Sequence, residues 1–141
     1  MSVRLRPPEQ RASRMAKASH KEAESVLRDY ALSFPEATEE FPWGERVIKV
    51  KGKIFMFLGP VDAALRVTVK LPISFEMALT LPFTAPTGYG LGRAKWITAR
   101  FAADEKPPID LLQGWITQSY RAVAPKRLAR MLDGAAPGAR M

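Results

Sequence analysis

The stretch RVIKVKGKIFMFL, residues 46–58, contains the pattern on which the fold assignment depends. β-Branched and aromatic residues are frequent on both sides of Lys51-Gly52, which is typical of two β-strands. A glycine in a two-residue turn tolerates the positive φ that a tight hairpin requires. The stretch therefore predicts two antiparallel strands, 46–51 and 53–58.

The register of this hairpin follows from its short turn. Val50 is expected opposite Lys53, and Ile48 opposite Phe55, because pairs step outward from the turn one residue at a time on each strand. Side chains alternate between the two faces of a strand. This register predicts that Ile48, Val50, Phe55 and Phe57 share one face.

Alternation of apolar and polar residues predicts two further strands. In residues 65–70, LRVTVK, the apolar residues alternate with Arg66, Thr68 and Lys70, so one half-exposed sheet face is basic. Residues 95–101, KWITARF, form the fourth strand. Its alternation does not decide which face is buried.

Helices are predicted before and after these strands. Ser19 and Glu22 match a capping box, which places the start of the first helix at Ser19 and its end near Ser33. The segment 36–45 is expected to be an ordered loop. Further helices are predicted between Ser74 and Pro82, from Pro107 to Val123, and from Pro125 to Leu132.

This order of elements indicates an α+β fold, an antiparallel sheet with helices packed on one face. A length of 141 residues is typical of one domain, which we expect at residues 19–132. Six of the 22 Lys and Arg residues lie in the first 21 residues. We therefore expect residues 1–18 to form a flexible basic arm, and the Ala-, Gly- and Pro-rich residues 133–141 to form a mobile tail.

The composition excludes several kinds of chemistry. There is no cysteine, so the chain has no disulfide, no thiolate nucleophile and no cysteine-ligated metal. The single histidine, His20, is expected to be exposed, and the glycines of residues 88–92 match no phosphate-binding motif. We expect a binding protein rather than an enzyme, with no catalytic residue, cofactor or metal.

The chain has no apolar run long enough to cross a bilayer, and its first 20 residues lack the apolar segment of a secretory signal. We therefore expect a cytoplasmic protein that does not contact membranes. The formal charge of +8 and the pI near 10.1 suit polyanionic partners such as nucleic acids, and the alternative that this is solvated surface charge without such a role stays open.

The candidate DNA contacts combine cations with one aromatic residue. They are Lys49, Lys51 and Lys53 at the hairpin, and Arg93, Lys95, Trp96 and Arg100 around the fourth strand. Aromatic residues among cations stack on bases while the cations neutralise phosphates, although burial of Trp96 in the core is also open.

The other two tryptophans, Trp43 and Trp115, are expected to be core or staple residues rather than ligand stackers. The alternative function is a protein-interaction or small-ligand module, with its site in a cleft near Trp43, Tyr89 and Trp96.

Several motifs resemble the MmcQ/YjbR family, in that family's order. They are ALSFPEATEE (31–40), FPWG (41–44), VIKVKGKIF (47–55), VTVK (67–70), TGYGLGRAKWIT (87–98) and SY (119–120). The resemblance covers roughly residues 21–132. It implies a small bacterial cytoplasmic protein with a frataxin-like α+β architecture, described as a double-wing DNA-binding fold. The loop at 89–96 departs from the polar run common in the family, which weakens the case for a specific ligand held by that loop.

Overall fold

The structure, a computed structural model, describes the backbone of residues 8–134 and the side chains of residues 20–133. In chain order its elements are α1 (Pro8–Leu32), β1 (Ala37–Glu40), β2 (Arg46–Val50), β3 (Lys53–Val61), β4 (Ala64–Lys70), α2 (Phe75–Ala78), β5 (Thr84–Pro86), a 3₁₀ turn (Leu91–Ala94), β6 (Trp96–Phe101), α3 (Ile109–Val123) and α4 (Lys126–Gly134). Residues 1–7 of the predicted arm and residues 135–141 of the predicted tail lie outside the described residues.

The strands form one six-stranded sheet in the order β1-β2-β3-β4-β6-β5. Every neighbouring pair in this sheet is antiparallel. Helices α1 and α3 pack against it. The predicted α+β fold is confirmed.

The core lies between these helices and the sheet. Ile116 of α3 and Ile97 of β6 are fully buried there, and each such side chain contributes roughly 1.5–3 kcal/mol. Ser119 fixes the position of α3, since its Oγ accepts a hydrogen bond from the Lys70 amide at 2.9 Å and donates one to the Phe55 carbonyl at 2.5 Å. Burial of Ile97 settles which face of β6 points inward, and Trp96, Thr98 and Arg100 therefore lie on the opposite face.

The hairpin confirms the predicted turn but not the predicted register. Lys51 (φ 52°) and Gly52 (φ 80°) both have positive φ, as a type I′ turn requires, and Val50 lies opposite Lys53. A shift between Ile48 and Lys49 then places Ile48 opposite Met56 instead of Phe55. The predicted register was wrong from this point outward.

A β-bulge at Phe55 causes the shift. Phe55 and Met56 are both fully buried, and the Phe55 ring centroid lies 5.2 Å from that of Tyr120 in α3. The extra residue moves Phe57 to the face away from the helices, where it contacts Trp96. The expectation that Phe57 shares a face with Ile48 was therefore wrong.

Two boundary predictions were also wrong. Helix α1 begins at Pro8, so Ser19 lies inside the helix; residues 8–18 are rich in good helix formers, and the capping pattern does not mark a start. The predicted loop at 36–45 contains strand β1, which pairs with β2.

Ion pairs hold β1 in place despite its polar sequence, ATEE. Glu39 accepts hydrogen bonds from Arg28 Nε at 2.8 Å and from Arg46 Nε at 2.7 Å, and Arg46 also pairs with Glu24 of α1. These contacts join the first helix to the edge of the sheet, and they depend on residues far from β1 in sequence.

Single-residue expectations had mixed outcomes. Trp115 is a core residue, as expected. His20 is only 8% exposed and its Nε2 lies 2.8 Å from the Glu105 carbonyl oxygen, so the expectation of an exposed histidine was wrong. Trp43 is 80% exposed, which overturns its assignment to the core.

Candidate nucleic-acid interface

None of the helices of residues 8–134 packs on one face of the sheet, which we call the open face. Strand alternation and the β3 bulge place on it Phe57, Arg66, Thr68, Lys70, Trp96, Thr98 and Arg100.

Two arginines lie side by side at one end of the open face. Arg66 of β4 is directly opposite Arg100 of β6. Like charges in this arrangement repel each other. Arg66 pairs with Glu45 across Gly59, which carries no side chain, whereas Arg100 is exposed and has no carboxylate partner among residues 20–133.

The Arg66 guanidinium is only partly satisfied. Its Nε is buried without an acceptor in the described chain. Burial, and secondarily the charge of Arg100, lower the pKa of Arg66. Glu45 thus pairs with Arg66 and leaves Arg100 without a carboxylate partner among the described residues, so an added anion beside Arg100 is favoured.

The middle of the open face is formed by hydroxyls and aromatic rings. Thr98 Oγ1 lies 3.0 Å from Thr68 Oγ1 and 3.0 Å from Thr87 Oγ1. The rings of Phe57 and Trp96 meet edge to face with centroids 5.9 Å apart. This surface offers polar edges and aromatic carbon together.

Two loops border this surface. Residues 41–45 turn through Gly44 (φ 77°) and expose Trp43. Residues 87–95 turn through Tyr89 (φ 58°) and Gly90 (φ 78°) and leave the Tyr89 side chain fully exposed. A Cβ on Gly92 would lie 2.9 Å from Pro86 Cβ, so this loop folds tightly against β5.

Between the loops lies a groove of about 520 Å³. Its charged and aromatic lining residues are Trp43, Glu45, Phe57, Arg66, Tyr89 and Arg100. The structure therefore brings Trp43 and Tyr89 into the cleft expected for the alternative function, while Trp96 adjoins it through Phe57. Of the residues predicted as DNA contacts, Arg100 lines the same groove as Trp43 and Tyr89.

The hairpin cations have a different environment. Lys49 Nζ lies 3.0 Å from Glu40 Oε1, and Lys51 Nζ lies 3.1 Å from Glu36 Oε1. Lys53 is exposed, and no carboxylate of the described residues pairs with it. Acidic neighbours thus neutralise two of the three hairpin cations proposed as DNA contacts.

The cations near β6 are less neutralised. Arg93 is exposed in the 3₁₀ turn and Arg100 on the open face, and neither has an acidic partner in the part of the chain that is described. Lys95 Nζ lies 4.9 Å from the ring centroid of Phe75 in α2, a cation–π contact. Arg100 thus lines the groove, Trp96 contacts its Phe57 wall, and Arg93 lies in the same 3₁₀ turn as the groove-lining Leu91.

The predicted site residues did not include Arg66, Phe57 or Thr98. The alternation in residues 65–70 was a usable signal for Arg66, because it already placed this side chain on a basic face. Phe57 had no such signal, because the bulge that turns it depends on α3.

Among the residues described, no group of three or more His, Asp or Glu side chains is placed to hold a metal ion. No helix within the described part is long and apolar enough to cross a membrane.

Comparisons with known proteins agree with this architecture. The crystal structure of the Deinococcus radiodurans protein DR2400, which carries a domain described as DUF419, is similar with a TM-score of 0.58 and 27% sequence identity, over 76% of this chain and 85% of that one. No curated protein matches the chain significantly. A family model described as YjbR matches residues 32–122, a range that includes both loops, the groove and most of α3. The chain therefore belongs to the YjbR family.

Proposed function

We propose that this protein binds DNA through the open face and its two bordering loops. The observation that carries the proposal is the exposed Arg100 beside Arg66, in a groove whose loops expose Trp43 and Tyr89. Cations positioned beside aromatic rings suit a ligand that presents phosphates and bases together. The overall charge of +8 adds long-range attraction.

The proposed contacts are not equivalent. Arg93, Trp96 and Arg100 form the main part of the interface, with Lys95 and Lys53 at its margin. Lys49 and Lys51 contribute less, because DNA must compete with Glu40 and Glu36 for their ammonium groups.

The test measures DNA affinity as a function of salt by fluorescence anisotropy. For about four to six phosphate contacts, log affinity falls with log salt at a slope of roughly −4 to −5 on duplex DNA. We expect Arg93→Gln combined with Arg100→Gln to reduce the steepness by about 2, since two phosphate contacts are lost.

The matched control is Lys49→Gln combined with Lys51→Gln, which removes the same charge from the hairpin. We expect it to leave the slope nearly unchanged. A flat salt response of the wild-type protein, or no binding at low salt, would contradict DNA binding.

A small-ligand function is the second candidate, because a groove of about 520 Å³ lies within the usual range of ligand pockets. It predicts that tryptophan fluorescence responds to a metabolite and not to DNA. Tryptophan fluorescence titrations with DNA and with metabolites therefore separate the two functions.

A further inference from the structure

We infer that the groove accepts unpaired nucleotides, with a base against its aromatic side chains and a phosphate on Arg100, so that single strands bind in preference to duplex. The inference rests on the proposed function and narrows its ligand. It follows from the exposure of two rings, the hydroxyls between them and the distribution of unpaired cations.

The first support is the placement of the aromatic rings. Trp43 and Tyr89 are both strongly exposed, they come from different loops, and both line the groove whose wall includes Phe57. In a duplex each base face is covered by its stacked neighbours. An unpaired base offers its faces to such rings, and this stacking is worth about 1–3 kcal/mol per base.

The second support is the polar character of the groove. Thr68, Thr87 and Thr98 contribute three hydroxyl donors, and the two hydrogen bonds that link them use only two. Thr68 is buried, so the hydroxyls that can reach the edge of a base are those of the half-buried Thr87 and Thr98, which keep free acceptor positions. Base edges that are free from pairing can use them.

The third support is the shape of the positive surface. A duplex presents two rows of phosphates, and a protein needs an extended set of cations to track them. Here Lys49 and Lys51 at the hairpin are paired with glutamates. Arg100 lines the groove and Arg93 lies in the 3₁₀ turn, and neither has an acidic partner among the described residues. Two unpaired arginines suit the phosphates of one strand better than the two rows of a duplex.

The experiment compares three end-labelled probes of equal length: oligo(dT), oligo(rU), and the duplex of the same oligo(dT) with oligo(dA). Fluorescence anisotropy with the full chain gives each affinity. We expect the single strand with the higher affinity to bind about tenfold or more tightly than the duplex. The ratio between oligo(dT) and oligo(rU) identifies DNA or RNA as the source of the unpaired nucleotides.

A double variant, Trp43→Leu with Tyr89→Leu, tests whether stacking is the cause. Both side chains are largely exposed, so the fold is retained, and circular dichroism checks it. We expect the affinity of this variant to fall by about tenfold or more for single strands and by less than about twofold for duplex. The control is Ile73→Ala, an 86% exposed apolar residue whose amide is bound by Gln118 of α3 on the helical side of the sheet.

Equal or tighter binding of the duplex would overturn the inference while DNA binding itself stands. Equal losses for single strands and duplex in the double variant would overturn it as well. Absence of binding to all three probes would remove both the inference and the proposed function.

Discussion

Two regions of the sheet, the β1–β2 edge and the β4–β6 part of the open face, use cations differently. At the β1–β2 edge the cations are matched by carboxylates, in the pairs Arg46–Glu24, Arg46–Glu39, Lys49–Glu40 and Lys51–Glu36. On the β4–β6 part of the open face, Arg66 and Arg100 lie opposite each other beside the single carboxylate of Glu45. Similar residues thus stabilise the fold at the β1–β2 edge and leave positive charge available on the open face.

Burial explains why the edge needs its acids. The side chains of Arg46 and Glu39 are about four-fifths buried, and a guanidinium in that environment loses water contacts that a carboxylate must replace. Arg100 is exposed, and water can solvate it until a ligand arrives. Net charge alone does not distinguish these roles.

The largest expected effect is on stability at the acid-paired edge. Glu39→Gln removes the carboxylate that accepts from Arg28 and Arg46, leaving two charged groups poorly paired. We expect the free energy of unfolding in urea to fall by about 2–3 kcal/mol at neutral pH. DNA affinity should stay unchanged.

Glu40→Gln is the control for this change, since Glu40 is half exposed and contacts only the Lys49 ammonium among the described ion pairs. Its effect should be below about 0.5 kcal/mol. Equal losses of unfolding free energy in Glu39→Gln and Glu40→Gln would show that burial does not explain the difference between the β1–β2 edge and the open face.

Acid should weaken the same edge. Hydrogen bonding from Arg28, aided by Arg46, lowers the pKa of Glu39, and hydrogen bonding from Lys51 lowers the pKa of Glu36. A carboxyl whose pKa is lower in the folded state stabilises the fold above its ordinary pKa, and this contribution is lost as the pH falls through the lowered value.

We therefore expect the free energy of unfolding to decrease below the ordinary carboxyl pKa of 4.5. Urea titrations across this range measure it. The decrease should be shallower in Glu39→Gln, which has already lost one of the two groups. An unchanged pH profile in this variant would assign acid sensitivity to other carboxyls.

A smaller effect is expected in the groove, from Glu45→Gln. This change removes the one negative charge beside Arg66 and Arg100, so DNA affinity measured by anisotropy should rise about threefold. The control is Glu22→Gln, which removes an exposed carboxylate of α1 that has no ion pair among the described residues, and it should leave the affinity unchanged. Weaker binding by a folded Glu45→Gln protein would mean that Glu45 positions Arg66 for the ligand instead of competing with it.

The smallest effect is expected at the hairpin turn. Lys53→Gln removes an exposed cation that lies at the end of the sheet opposite to Arg66 and Arg100, and DNA affinity should fall by about twofold or less. Lys106→Gln, an exposed cation in the segment before α3, provides the comparison. A loss as large as that of Arg100→Gln would place the hairpin within the interface.

Local patterns were informative where the structure depends on near neighbours. The turn at Lys51-Gly52 was predicted correctly, because its geometry depends on one glycine and the flanking strands. The alternation in residues 65–70 correctly placed Arg66 and Thr68 on one face. Local patterns did not predict β1, because this strand is stabilised by a residue distant in sequence, Arg28 of α1.

The sequence by itself determined the α+β class, the central hairpin turn, the family, the excess of positive charge and the absence of cysteine chemistry. Only the tertiary structure decided that Phe57 turns to the open face, that Trp43 and Tyr89 share a groove, and that Lys49 and Lys51 are neutralised while Arg100 is not. The reason is physical: backbone preferences act over a few residues, whereas packing and ion pairing act through space between segments that the chain order leaves far apart.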